Sequence, residues 1–112
     1  MKEVKVIGTT ADKFQIYVDS SSHCKIPHFH CSKRKGFDAA LSFINGEYVF
    51  HDNALDVLET NEINNLIKFM RNKDINSNQT NWQVLLDSWN KNNPRCQIDG
   101  NRMPNYSYLG TL

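Results

Sequence analysis

The chain has 112 residues, with 13 basic and 12 acidic side chains and a formal net charge of +1. This length fits one small domain with a single core, and the near-neutral charge argues against a strongly electrostatic nucleic-acid binder and against an acidic mimic of DNA. No apolar run approaches the roughly 20 residues of a membrane-spanning helix, and the first residues lack an apolar signal-peptide segment. We therefore expect a cytoplasmic protein that does not enter a membrane.

The first half of the chain predicts strands, because apolar and polar residues alternate along it. Residues 4–6 and 14–18 show this period of two. Residues 26–32 form a third candidate strand, which Pro27 confines to a strand start or a sheet edge. The alternation thus indicates a half-buried sheet that begins near the N-terminus.

Residues 39–51 contain the clearest local signal, the dipeptide Asn45-Gly46. This pair is favoured in two-residue type I′ hairpin turns, in which both residues need positive φ. Such a turn would pair Phe43 with Tyr48. It would also pair Leu41 with Phe50 on the same apolar face.

The second half of the chain predicts two helices. Thr60 can N-cap the first helix, and Thr80 can N-cap the second. Apolar side chains recur at i, i+3, i+4 and i+7 in both segments, which is typical of helices packed on a core. These side chains are Ile63, Leu66, Ile67 and Met70 in the first segment, and Trp82, Leu85, Leu86 and Trp89 in the second. Both tryptophans are therefore predicted to be core residues.

Strands followed by two helices predict an α+β fold, with an antiparallel sheet of four to five strands packed against the helix pair. Pro94 ends the second helix, so we expect a single α+β domain over residues 1–94 and an irregular C-terminal tail over residues 95–112. Tyr106 and Tyr108 alternate with polar residues in the tail. They would anchor it either on the domain or on a partner.

Residues 23–31 hold three of the four histidines and two of the three cysteines of the chain. Imidazole binds transition metals and moves protons near neutral pH. His28 and His30 lie two positions apart in a predicted strand and therefore share a face. One interpretation is that they are surface histidines of the strand that flank a buried phenylalanine. The other is that they are catalytic groups or ligands of a zinc site completed by His23 and His51.

The cysteine spacing predicts a reduced protein. Cys24, Cys31 and Cys96 form an odd set without a CxxC pair, which is the usual pattern of cytosolic free thiols. Cys24 and Cys31 are weaker zinc candidates than the histidines, because buried free cysteine is common in protein cores.

A basic turn follows the histidines directly and consists of Lys33, Arg34 and Lys35. It offers positive charge for a phosphate group or an RNA backbone. Short basic turns are usually only solvated, so nucleic acid is the weaker partner class here. A protein is the favoured partner.

Residues 23–90 resemble a family of small bacterial and phage-borne proteins of unknown function, marked by an H…PPHFH run. The segment Ile26-Pro27-His28-Phe29-His30 matches that run with isoleucine in place of the first proline, and His23 stands where the upstream histidine would. The resemblance implies a hairpin and two helices after the run, the second helix bearing a tryptophan. Some members resemble partners in mobile-element operons of toxin–antitoxin type.

Two functions from different classes remain open. The first is a binding module that acts on a macromolecular partner, such as an antitoxin, a phage-borne inhibitor or a defence accessory. The second is a toxin-like enzyme acting on RNA or nucleotides, in which His28 and His30 act as acid–base or metal groups and Lys33 and Arg34 hold phosphate. The binding module is favoured because the catalytic set is incomplete: a histidine triad would need a third histidine where Ser32 stands.

Overall fold

A computed structural model describes residues 5–18, 26–33, 36–50, 54–98, 102–107 and 109. Four strands precede two helices. These elements are β1 (Lys5–Thr9), β2 (Gln15–Val18), β3 (His28–Lys33), β4 (Phe37–Ser42), α1 (Thr60–Arg71) and α2 (Asn81–Asn92). The predicted α+β class, with an antiparallel sheet packed against two helices, is confirmed.

The sheet is a meander in which each strand pairs antiparallel with its neighbour in sequence, in the order β1-β2-β3-β4. Side chains along a strand alternate between the two faces, so residues paired across strands form rows on one face. One row belongs to the buried core and consists of Ile16, Cys31 and Ala39. The adjacent row lies on the opposite face and consists of Tyr17, His30 and Ala40.

The helices contribute their apolar faces to the same core. Ile63, Leu66 and Met70 of α1 are buried, and Ile67 packs partly buried against them. Both tryptophans of α2 are buried, which confirms their predicted role. No helix in the described residues is long and apolar enough to cross a membrane.

The helix caps agree with the sequence at α2 and differ by one residue at α1. The Thr80 hydroxyl accepts the backbone N–H of Gln83 at 3.2 Å, so Thr80 is the N-cap of α2. At α1 the N-cap is Glu59, whose N–H donates to the Glu62 carboxylate at 2.7 Å. Thr60 is therefore the first residue of the helix, because the carboxylate of Glu62 satisfies the preceding N–H group.

The chain reversal after β4 corrects the predicted hairpin. Leu41 pairs with Tyr48 in a single antiparallel bridge, so the loop spans residues 43–46. The predicted pairs, Phe43 with Tyr48 and Leu41 with Phe50, are wrong by two positions. A shift of two leaves every side chain on its expected face, whereas a shift of one would have inverted them all.

Side-chain hydrogen bonds explain the longer loop. The Ser42 hydroxyl accepts the N–H groups of Ile44 at 2.9 Å and Asn45 at 3.3 Å. The Asn45 side-chain oxygen accepts the N–H of Glu47 at 3.0 Å. Gly46 has φ of 72°, as expected, but Lys13 and Asn78 are the only described non-glycine residues with positive φ. Asn45 therefore does not take the type I′ conformation.

The C-terminal segment contributes to the core. Tyr106 is fully buried, and its hydroxyl donates to the Ser42 carbonyl oxygen at 2.6 Å. Leu109 belongs to the same core cluster. Of the two alternatives for Tyr106, the structure shows anchoring on the domain itself. Tyr108 lies outside the described residues.

Candidate functional site

Strand β3 brings the two predicted site histidines together. His28 and His30 alternate with the core residues Phe29 and Cys31, and their ring centroids are 5.1 Å apart. Their exposed fractions are only 7% and 3%. His23 lies outside the described residues, so a set of three histidines stays a prediction.

His30 sits between an acidic and an aromatic neighbour. Its Nδ1 lies 3.0 Å from an Asp38 carboxylate oxygen, which can only accept, so Nδ1 carries the proton. The Tyr17 ring stacks on the imidazole with centroids 4.9 Å apart and planes 7° apart. The N–H of Asp38 in turn donates to the Asp56 carboxylate at 2.9 Å. A carboxylate on Nδ1 orients a histidine for proton transfer or metal binding through Nε2, but the Nε2 atom of His30 is buried.

His28 is held in a similar way. Its Nδ1 donates to the backbone carbonyl of Ile26 at 2.8 Å, and its ring centroid lies 5.6 Å from that of Trp89. Hydrogen bonding and packing thus fix both imidazoles. They are buried side chains, so the interpretation that they lie on the strand surface is wrong, whereas Phe29 between them is buried as expected.

The described residues do not complete a metal centre. They contain no group of three or more His, Cys, Asp or Glu side chains arranged to hold a metal ion. His28 and His30 supply two nitrogens, whereas structural zinc needs four protein ligands and catalytic zinc three. His51 and His23, the predicted further ligands, lie outside the described residues. The zinc site therefore stays a prediction.

Cys31 is a free thiol within the core. Burial above all, and then the negative charges of Asp12, Glu62 and Asp38, raise the pKa of Cys31 well above its usual range. The group is therefore protonated at neutral pH, and neither a nucleophile nor a zinc thiolate is available there.

Cys96 corrects the expectation of three reduced cysteines, because it is disulfide-bonded. Its backbone carbonyl also accepts the indole N–H of Trp89 at 3.0 Å, which ties this segment to α2. The CxxC rule detects only pairs that are close in sequence, so it could not find a disulfide between distant positions. Cys24 lies outside the described residues.

An open groove lies at the end of the sheet where the basic turn begins. Its volume is about 700 Å³. The lining side chains are Thr9, Lys13, Gln15, Ser32 and Lys33, and we call this site the lysine groove. Sequence reasoning identified Lys33 but missed Lys13, which lies twenty positions earlier and reaches the groove only through the strand register. Arg34 and Lys35 lie outside the described residues.

The outer edge of β4 carries exposed apolar side chains. The N–H of Val49 donates to the Ala40 carbonyl, and the N–H of Asp56 donates to the Asp38 carbonyl, so the segments around them pair with that edge. Phe50, Leu55 and Val57 lie in these segments and are 56%, 61% and 56% exposed. We call these three residues the β4 margin.

Comparison with known proteins finds no matching family model, no matching curated protein and no matching solved structure.

Proposed function

We propose that this chain is a non-catalytic binding module that recognises a protein partner through the β4 margin. The observation that carries the proposal is the exposure of Phe50, Leu55 and Val57 along one strand edge. Burying large apolar side chains against a partner is favourable because it removes their surface from water. Clustered exposed apolar residues commonly mark protein interaction sites.

The charge around the margin supports a protein partner over a nucleic acid. Residues 47–59 contain the carboxylates of Glu47, Asp52, Asp56 and Glu59, and no lysine or arginine. Nucleic-acid binding depends on basic groups that neutralise the phosphates of the backbone. The carboxylates of this segment would repel those phosphates. An apolar partner surface with a basic rim complements this segment better.

The closer role of this module rests on the family resemblance of residues 23–90. That resemblance suggests an antitoxin, a phage-borne inhibitor or a defence accessory, each of which would act by covering a partner's surface, but it does not favour these roles over a toxin-like enzyme. In this proposal His28 and His30 stabilise the sheet that carries the margin. Their burial supports that role, since a macromolecular substrate needs ring nitrogens that it can reach.

Calorimetric titration against the purified products of neighbouring genes tests the proposal. We expect one of them to bind with defined stoichiometry, and the double variant Leu55→Glu/Val57→Glu to abolish this binding. Ile75→Glu is the matched control, because Ile75 is 98% exposed in the α1–α2 connection, away from the margin. Binding that survives the double variant, or that Ile75→Glu abolishes equally, would contradict the proposal.

The alternative, a toxin-like enzyme acting on RNA or nucleotides, is favoured by one observation, the His30–Asp38 pair. Such a pair can orient a general base. Assays of RNA cleavage and nucleotide hydrolysis distinguish the two functions. Turnover by the wild-type protein that is lost in a folded Asp38→Asn variant would favour the enzyme, whereas absence of turnover agrees with the binding module.

A cytoplasmic location remains part of this proposal, and the disulfide at Cys96 bears on it. Disulfides are rare in reducing compartments and common in oxidising ones. Alkylating the thiols of intact cells before lysis gives a direct test. A modified Cys96 would support the cytoplasm, whereas a Cys96 that reacts only after reduction would place the chain in an oxidising compartment.

A further inference from the structure

The lysine groove is a second surface whose chemistry differs from that of the β4 margin. Thr9 pairs with Gln15, and Gln15 pairs with Ser32, so these three side chains form one row across β1, β2 and β3 at the end of the sheet. Lys33 follows Ser32 in β3 and therefore lines the groove from the other face, where its Nζ lies over the Phe14 ring. Lys13 and Lys33 complete the lining. All five side chains can donate hydrogen bonds, and none is a carboxylate. The volume of about 700 Å³ lies within the range of small-molecule sites, roughly 300–1,000 Å³.

Both lysines are positioned by local structure. The Nζ of Lys33 lies 4.7 Å from the centroid of the buried Phe14 ring, a cation–π contact that restricts the side chain. Lys13 has φ of 72°, a conformation that residues other than glycine rarely adopt. The turn around it is held by Thr10, whose carbonyl accepts the N–H of Lys13 at 2.9 Å and whose hydroxyl accepts the N–H of Phe14 at 3.1 Å.

Apart from the contact of Lys33 with the Phe14 ring, the donors of the groove are uncommitted within the part of the chain that the structure describes. There, no ion pair or side-chain hydrogen bond engages any of the five lining residues. Two ammonium groups in one concavity repel each other, and an anion between them replaces repulsion with attraction. An uncompensated cationic concavity therefore favours an anionic ligand.

The acidic side chains that the structure describes along these elements are Asp12 and Asp38. One carboxylate oxygen of Asp12 accepts the hydrogen bond of the Thr10 hydroxyl at 2.6 Å, and the other is buried. Asp38, which pairs with Ser32 in the sheet, accepts the hydrogen bond of His30 Nδ1. Neither carboxylate lines the groove, so the lysines face solvent without a neutralising partner among these residues.

We propose that the lysine groove binds a phosphate-bearing small molecule of nucleotide size. Lys13 and Lys33 act as point charges on the phosphate oxygens, and the Gln15 amide and the hydroxyls of Thr9 and Ser32 orient the rest of the ligand. The groove is larger than one phosphate group requires. Two lysines are too few to hold a nucleic-acid strand, whose binding relies on many phosphate contacts.

Titration with adenosine diphosphate, followed by amide chemical shifts and calorimetry, tests this assignment. We expect shifts at Thr9, Gln15 and Ser32, and no such shifts with adenosine, which lacks phosphate. Lys13→Asn and Lys33→Met should each weaken binding about tenfold, the loss typical of one charged hydrogen-bonding partner. Asparagine tolerates positive φ, and methionine keeps an apolar stem over the Phe14 ring, so both variants should fold.

Lys91→Met is the matched control. Lys91 is exposed in the last turn of α2, whose Trp89 contacts His28 at the other end of the sheet. This variant should bind adenosine diphosphate like the wild-type protein, and Lys33→Arg should restore the affinity that Lys33→Met loses. Equal weakening by Lys91→Met would show non-specific charge attraction and overturn the proposal.

Two further results would also overturn it. Inorganic phosphate that binds as tightly as adenosine diphosphate would exclude a nucleotide-sized ligand. A single-stranded RNA that binds where adenosine diphosphate does not would make the groove a nucleic-acid surface. The variant Val57→Glu lies at the β4 margin and should leave adenosine diphosphate binding unchanged, so failure here would leave the protein-binding proposal standing.

Discussion

The hydroxyl of Tyr106 forms a buried hydrogen bond with the Ser42 carbonyl at 2.6 Å. Tyr106→Phe leaves that carbonyl without this partner, and we expect it to lower the free energy of unfolding by about 1–2 kcal/mol. Tyr48→Phe is the control, because Tyr48 is only half-buried and its oxygen accepts the N–H of Leu58. Chemical denaturation should rank Tyr106→Phe as the more destabilising variant. Equal losses of unfolding free energy in the two variants would contradict the role assigned to the buried hydrogen bond.

The buried thiol of Cys31 and the buried hydroxyl of Tyr106 should make the free energy of unfolding depend on pH in the alkaline range. Burial raises the pKa of Cys31 and of Tyr106 above their ordinary values of 9.0 and 10.0. The folded state therefore keeps protons that the unfolded state releases, so the contribution of these two groups to stability should be constant below pH 9.0 and be lost as the pH rises further.

Urea midpoints measured from neutral pH upward through both values test this dependence. Cys31→Ala should remove the part of the loss that begins near the lower value. Tyr106→Phe should reduce the part that begins near the higher one, to which Tyr48 also contributes because burial raises its pKa. A midpoint that stays constant or rises over this interval would show that these protons are not bound more tightly in the folded protein.

At the scale of elements, two glycines have positive φ, and only one of them also lies against another segment of the chain. Comparing alanine substitutions at the two positions therefore distinguishes the cost of backbone strain from the cost of a steric clash. A Cβ on Gly36 meets nothing within 4 Å, whereas a Cβ on Gly46 would lie 2.8 Å from the carbonyl oxygen of Asn105. Gly36→Ala should therefore cost about 1 kcal/mol, from the left-handed conformation alone. Gly46→Ala should cost more and should also raise the susceptibility of residues 102–107 to proteolysis, because their backbone must move. If both variants lost the same free energy of unfolding and were cleaved equally by protease, the predicted clash between residue 46 and Asn105 would be contradicted.

The helices and strands can be predicted from the sequence wherever one local signal dominates. Thr80 caps α2 because its hydroxyl accepts the N–H of Gln83. Trp82 and Trp89 lie on the same apolar face of the helix, which is the face that is buried. Competing local signals explain the hairpin error. Asn45-Gly46 favours a two-residue turn, but the Ser42 hydroxyl and the Asn45 side chain bind backbone N–H groups and stabilise a four-residue loop instead.

The candidate sites are harder to predict from the sequence, because they depend on contacts between distant segments. Alternation predicts that His28 and His30 share a face, but it does not show that Tyr17, Asp38 and Trp89 enclose them. Tyr106 lies in a segment without periodicity, so its burial has no sequence signal. Lys13 looks like an ordinary turn residue until the register of β2 and β3 places it in the same groove as Lys33.

For the molecule as a whole, the cysteine count predicts the partner of Cys96 in its disulfide. The chain has three cysteines, and Cys31 is free. We expect a Cys24–Cys96 bond, and peptide mapping without reduction should recover these two residues in one cross-linked fragment. Cys24→Ser should then leave Cys96 reactive towards alkylating reagents. A fragment linking Cys96 of two chains would contradict this pairing.

The meander also determines the order in which the chain assembles. Every strand pairs with its sequence neighbour, so the hairpins close short loops at little entropic cost and need no distant partner. The hydrogen bond from Tyr106 to Ser42 joins residues 64 positions apart. Forming this long-range contact is most favourable once the sheet has already folded. We therefore expect the C-terminal segment to dock after the folding transition state, so that Tyr106→Phe accelerates unfolding and leaves the refolding rate almost unchanged. The last contact to form would then determine how long the native state lasts.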